Sequence, residues 1–302
     1  MNTASRMIVA FAATVMAAGP LAASDDPPSE RVIDVEARVI PMSVDWQWLQ
    51  MEVTPDAPVQ PVLSPAAAER LELGGSLVSG VHLVGRTRMR ASSNRVRIDF
   101  GDGRRERTRA FFFDQPWGEA SDGLLNPMAL PEPVVTYQLR DPVDGEQTIA
   151  LPLAEHDRAG FHATLTLGNR EIPVLFSFAR DETMLTAAAG VLLADAFGGR
   201  MSGEAYDVPI ELGIARPVRP LVFERQPAMG RLSLGRLVVR TSDTGSVGAI
   251  PDDERDPNEI VVENSRREPP LAMWIGREAL AHCSSLTFDR AAAEIRLSCE
   301  NR

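Results

Sequence analysis

Apolar residues run along this chain in short stretches, alternating or continuous, broken by Gly, Pro and Asp. Such runs predict β-strands. They fall at VHLV (81–84), RVRIDF (95–100), AFFF (110–113), VVTYQL (134–139), TIALPL (148–153) and HATLTL (162–167). More follow at IPVLFSF (172–178), RLVV (236–239), EIVV (259–262) and LTF (286–288). Helical patterns are few and Ala-rich. SPAAAERL (64–71) opens with Ser then Pro, a cap and first-turn pair. MLTAAAGVLLADAF (184–197) is the second. The expected class is mainly β with two or more short helices. The polar stretch 242–259 predicts a long exposed loop, and its acidic residues lack the spacing of an EF-hand.

The first residues follow a different pattern. Met1–Arg6 carry one positive charge, Met7–Ala18 are an apolar run, and Gly19-Pro20 and LAAS follow. Charged start, short apolar centre and small residues predict a secretory signal peptide over 1–24, cleaved near Ala23 or Ser24. No Cys stands at that cleavage site, so a lipid anchor is not expected. No later run approaches the roughly 18 apolar residues of a membrane span. A soluble periplasmic or secreted protein follows as the expectation. The only cysteines, Cys283 and Cys299, flank SSLTFDRAAAEIRLS, which reads as strand, turn, strand. They are placed to face each other across the hairpin, and an oxidising compartment would join them. The alternative, a two-thiol metal site, lacks further ligands at motif spacing.

Two patterns occur twice. MEVTPDAPVQPVLSPAAAERL (51–71) has the form strand, turn, Leu, Ala-rich helix, and so does VLFSFARDETMLTAAAGVLL (174–193). DGLLNPMALPEPVVTYQL (122–139) matches MWIGREALAHCSSLTFDRAAAEIRL (273–297), with Leu125 against Ile275, Asn126 against Gly276, Leu130 against Leu280, and Thr136-Tyr137 against Thr287-Phe288. An internal duplication organises the chain, with a boundary near 150–160.

Each half resembles a lobe of the retropepsin and pepsin family of aspartic proteases. In that family a strand ends in Asp-Thr-Gly-Ala, followed by two polar residues, Thr-Val-Leu and a helix. An apolar-apolar-Gly motif, a Leu and a closing hairpin come later. Ser177 to Leu185 lies in the first frame, with Ile275-Gly276 as the later motif. Pro55 to Leu63 occupies the same frame in the first half, with Leu124-Leu125-Asn126 as the later motif. The resemblance implies two lobes, 25–155 and 156–302, around a cleft. It also implies a silent centre. Pro55 and Ser177 stand where the family has its two aspartates, and Ala57 and Ala179 replace its glycines. The family mechanism needs two carboxylates sharing one proton, which Pro and Ser cannot do. Two alternatives restore a carboxylate. One is a shifted frame with Asp56 and Asp181. The other is Asp243-Thr244-Gly245-Ser246, which spells the motif but follows polar Thr241-Ser242 instead of a strand end.

Composition narrows the chemistry further. The 302 residues carry a net charge of −11, a poor basis for sequence-independent nucleic-acid binding. All basic residues are Arg, which removes Schiff-base, Ser-Lys, P-loop and kinase chemistry. His82, His156, His162 and His282 are scattered, without ligand spacing, and no cofactor is expected. GRRERTR (103–109) is the densest basic run and reads as an exposed hairpin turn, with contact to an anionic surface as its functional alternative. Trp46, Trp48, Trp117 and Trp274 read as core or cleft-wall residues. The expectation is an exported, monomeric, non-catalytic protein that binds an extended peptide or an envelope protein in the inter-lobe cleft by strand addition. The rivals are an active aspartic endopeptidase and a structural or assembly factor of the envelope.

Overall fold

The computed structural model describes residues 30–74, 78–84, 87–101, 103, 105–114, 120–156, 160–241 and 270–301. The proposed signal peptide, Trp117, Asp243, the polar stretch 242–259 and the strand expected at 259–262 lie outside the described residues. In chain order the strands begin with β1 Glu30–Asp34, β2 Val39–Val44, β3 Gln47–Val53, β4 Val62–Leu63, β5 Val78–Val84, β6 Thr87–Asp99, β7 Arg105–Phe113, β8 Gly123–Leu125, β9 Val134–Gln138 and β10 Gln147–Pro152. They continue with β11 Ala154–His156, β12 Gly160–Leu167, β13 Arg170–Phe176, β14 Thr183–Leu185, β15 Gly199–Met201, β16 Tyr206–Glu211 and β17 Ile214–Phe223. The last are β18 Ala228–Met229, β19 Leu232–Ser233, β20 Leu237–Arg240, β21 Met273–Ile275, β22 Cys283–Asp289 and β23 Glu294–Cys299. The helices are α1 Pro65–Arg70, α2 Ala187–Phe197 and α3 Arg277–Leu280. The protein is mainly β.

Local chemistry accounts for the helices. Ser64 accepts from the Ala67 N–H at the start of α1, with Pro65 in the first turn, as its sequence predicts. The second helix starts later than expected. Met184 and Leu185 belong to β14, and Thr186 caps α2 by accepting from Ala189 N–H. Both strand residues are fully buried against β20 and β21, and that burial outweighs their helical pattern. Gly198, at φ +72, ends α2 in a left-handed cap. The basic run 103–109 is likewise more ordered than a turn, because Arg105–Phe113 form β7 in register with β6.

Three main sheets are built from these strands. One has the order β2-β3-β8-β4-β7-β6-β5 and another β11-β12-β13-β21-β14-β20-β17-β15, with β16 pairing β17. The third, β1-β9-β22-β23-β10, takes strands from both ends of the chain. Pairings around the end of β3 recur around the end of β13. β3 runs parallel to β8, β8 antiparallel to β4, and β4 parallel to β7. β13 runs parallel to β21, β21 antiparallel to β14, and β14 parallel to β20. In the shared sheet β9 meets β22 antiparallel, Thr136 opposite Thr287, with their hydroxyls 2.9 Å apart.

One large core cluster joins all three sheets. Its centre is aromatic: Tyr137 packs edge-on against Phe178 (5.0 Å between centroids) and Phe288 (6.3 Å), and Phe288 packs against Phe176 (6.3 Å). Such pairs add about 0.5–1.5 kcal/mol each beyond area burial. Cys283 and Cys299 are disulfide-bonded across β22 and β23, as the hairpin spacing predicts. No helix among the described residues is long and apolar enough to cross a membrane.

Candidate functional site

The candidate site lies where the loops that leave β3 and β13 meet. Register defines their correspondence. Thr54 N–H donates to Leu125 O at 3.0 Å, and Ser177 N–H to Ile275 O at 2.9 Å. Val53 pairs with Leu125, and Phe176 with Ile275. Thr54, not Pro55, is therefore the structural counterpart of Ser177. From Val53 to Leu63 the chain takes ten steps, and from Phe176 to Leu185 nine, so the first loop holds one extra residue. A frame without gaps in the sequence places that extra residue wrongly.

Both counterparts carry a hydroxyl, and both hydroxyls donate to the same carboxylate. Thr54 Oγ1 gives a 2.7 Å bond to Asp56 Oδ1. Ser177 Oγ gives a 2.5 Å bond to Asp56 Oδ2. The Arg180 guanidinium stands 3.8 Å from Oδ2. Arg180 is itself buried, donating to Ile210 O at 2.8 Å and lying 5.9 Å from the Trp274 ring centroid. Burial pulls its guanidinium below the ordinary arginine value, while Asp56, Glu211 and Glu182 act against that pull. Below the junction Tyr137 is fully buried. Burial, and then the Asp56 carboxylate, push its phenol well above the ordinary range, so it stays neutral.

Each loop is held by a different device. Asn126 is buried beneath the first. Its Nδ2 donates to Pro55 O (3.2 Å) and Ala57 O (2.8 Å), and its Oδ1 accepts from Met128 N–H. Gly276, the counterpart of Asn126, lies under the second loop with no room for a side chain. A Cβ there would come within 2.3 Å of Asp181 O and of Glu182 O. Backbone bonds complete that loop, from Arg277 N–H to Arg180 O and from Glu278 N–H to Asp181 O, both 3.0 Å.

The sequence candidates fall apart at this junction. Asp56 is in it. Asp181 faces solvent and pairs with Arg277 at 2.7 Å, not with neighbouring Arg180. Its oxygen and those of Asp56 take separate partners. Pro55 is buried in the turn and contributes a carbonyl. Ser177 is fully buried. Its hydroxyl is spent on a carboxylate, and His162, a buried histidine, is bonded to Gly160 O. A serine nucleophile needs access and an adjacent base. Thr54 and Arg180 were not among the sequence candidates. The signal for Thr54 was its place directly after an alternating strand, one position before Pro55.

Two further observations bear on function. The β16–β17 hairpin turns through Leu212 and Gly213, both at positive φ (+49 and +71), the form of a tight hairpin turn. Leu212 is buried in a small cluster with Val62, Met89 and Phe113 of the first half, and Ile214 packs beside it. The hairpin tip therefore rests on β4, β6 and β7. Trp46 and Trp48, expected in a core or cleft wall, are instead 64% and 68% exposed, the first in the β2–β3 turn and the second on β3 opposite Ser43. Trp274 is half-buried beside Met184 and Val208. The described residues contain no group of three or more potential metal ligands. No protein-family model matches this chain, and a search of curated proteins also finds no match.

Proposed function

We propose that the chain is an exported, non-catalytic protein with two pepsin-like lobes whose work is binding a peptide or protein partner. The observation that carries this reading is the Thr54–Asp56–Ser177 bridge. A peptidase of this type needs two carboxylates a few ångströms apart, one acting as base toward water and one as acid toward the carbonyl. Here a single carboxylate lies between two hydroxyl donors and a guanidinium, a set that holds two loops together without a second carboxylate among its members. The recurrence of the β3/β8/β4/β7 pairings in β13/β21/β14/β20 supports the two-lobed reading. So does the register that makes Thr54 the counterpart of Ser177, with a hydroxyl at the same position in each half.

A structural or assembly role is the second reading, favoured by one observation. The β16–β17 tip packs Leu212 against Val62, Met89 and Phe113 of the first half. In the binding reading this tip must lift before a peptide adds along the cleft. In the structural reading it stays closed.

The test is a digest of a diverse peptide mixture by the full chain between about pH 3 and 7, the range in which a carboxylate pair titrates. Mass spectrometry should find no products. Cleavage lost in Asp243→Asn would overturn the proposal in favour of the Asp-Thr-Gly-Ser tetrapeptide. Cleavage lost in Asp56→Asn would overturn it in favour of the junction. Peptides retained more strongly by a Leu212→Asp variant than by the parent chain would support the cleft as the binding site. Equal retention would favour the structural role.

A further inference from the structure

The outer face of β6 and β7 is a second feature, remote in chemistry from the junction. Along β6, Val96 and Ile98 are buried while Arg95 and Arg97 are exposed. The register sets Arg95 opposite Arg109, Arg97 opposite Arg107, and Asp99 opposite Arg105. Directly opposed residues share a face with Cβ atoms about 5 Å apart, and like charges so placed oppose folding. Arg95, Arg97, Arg107 and Arg109 form no ion pair among the described residues. Among the described residues, the nearby carboxylates Asp99 and Asp45 are otherwise engaged. Asp99 accepts from the N–H groups of Gly101 and Gly103 and lies 3.8 Å from Arg105, and Asp45 accepts from Arg97 N–H.

The exposed tryptophans join this face. Trp48 is opposite Ser43, and Ser43 is opposite Asp99, so Trp48 shares the side of the arginines. Arg105 stacks over the Trp46 ring at 3.6 Å. Trp46 has φ +74, in the left-handed region that bulky side chains avoid. A strained backbone thus holds a large indole out in water, beside two unrelieved pairs of like charges. Each feature opposes stability, and together they present cations and indoles on one exposed sheet face of a protein whose net charge is −11.

We propose that this Arg–Trp face docks on an anionic phospholipid bilayer, its guanidinium groups taking lipid phosphates and the two indoles entering the headgroup layer. Indoles favour the membrane interface because the ring is apolar and its N–H is polar. Basic residues add affinity for an anionic leaflet. A stacked base or sugar is a poorer occupant, since Arg105 already covers one face of Trp46. The proposal rests on neither the pepsin-like reading nor the state of the junction.

The test is sedimentation of the full chain with vesicles of phosphatidylglycerol and phosphatidylcholine, against phosphatidylcholine alone. Binding should require phosphatidylglycerol and weaken with salt. Arg97→Gln with Arg107→Gln should lower affinity by about 30-fold, from two lost surface cations. The same pair should leave the unfolding midpoint unchanged or raised, because it removes a like-charge pair. Brominated acyl chains should quench tryptophan fluorescence, and Trp46→Phe with Trp48→Phe should abolish the quenching. Absence of binding to phosphatidylglycerol vesicles, or binding that the arginine pair does not weaken, would overturn the proposal. So would capture on heparin or an oligonucleotide without capture on vesicles.

Discussion

The loops after β3 and β13 leave equivalent strand ends, yet they are stabilised by opposite means. The first is longer by one residue and is filled from below by a side chain, Asn126, with three hydrogen bonds. The second is shorter and presses its own backbone onto Gly276, where no side chain fits. One loop requires an amide and the other requires nothing at the same topological position. Equivalent topology therefore does not imply exchangeable residues. The carboxylate that bridges the halves comes from the longer loop, where Asp56 accepts from both Thr54 and Ser177.

The largest test of this contrast is Gly276→Ala. The added methyl meets two carbonyl oxygens of the backbone, and neither can move without breaking the bonds from Arg277 and Glu278. Destabilisation of about 4 kcal/mol or more is expected, the range of severe core strain, measured by denaturant unfolding. A loss below 1 kcal/mol would mean that the second loop is not held as described. Asn126→Ala comes next, at about 3 kcal/mol. It leaves the Pro55 and Ala57 carbonyls and the Met128 N–H without this partner in a buried place. Asn126→Gly should do no better, although Gly is what the other half has at that position.

Ser177→Ala probes the bridge between the loops. It removes one donor from Asp56 and keeps Thr54 and Arg180, so about 1–2 kcal/mol should be lost. Thr54→Val should give a similar loss if the two hydroxyls are equivalent. A clear inequality between the two variants would show that the halves grip Asp56 unequally.

Strand identity was legible in this sequence at apolar runs bounded by turn residues, such as 95–100, 134–139 and 162–167, which lie in β6, β9 and β12 except for Phe100 and Leu139 just past the strand ends. The disulfide was legible because hairpin geometry alone brings Cys283 opposite Cys299. The junction was legible only in part. The correspondence of Leu125 with Ile275 follows from register, which depends on apolar pairing: Leu125 pairs with Val53 and Ile275 with Phe176. Thr54 was missed because a one-residue insertion in a loop leaves no trace in hydrophobic pattern. The partner of Asp181 was missed for a related reason: Arg277 is 96 positions away, brought close only by the β13–β21 pairing. Exposure of Trp46 and Trp48 depended on a turn whose positive φ values at Asp45 and Trp46 run against residue preference.

The halves also differ in what each lends the other, and this yields the smallest effect. The β22–β23 turn sends Arg290 onto the first half, where its guanidinium donates to the carbonyls of Met128, Leu130, Pro131 and Glu132. Asp289 shapes that turn. The Ala292 N–H donates to it and holds its carboxyl below the ordinary value; burial works against this, and Arg296, at 2.8 Å, works with it. A carboxyl depressed in the folded state contributes stability above its unfolded value, about 3.9. That contribution falls away as pH drops through the lower, folded value. Acid should therefore loosen the turn and with it the hold of Arg290 on the segment next to Asn126. Unfolding midpoints measured between about pH 2 and 7 should show a shallower acid decline for Asp289→Asn than for the parent chain. The variant should be the less stable of the two at neutral pH, and the curves should converge at the acid end. Parallel curves would separate Asp289 from the acid response and show that the hold of Arg290 on the first half does not depend on that carboxylate.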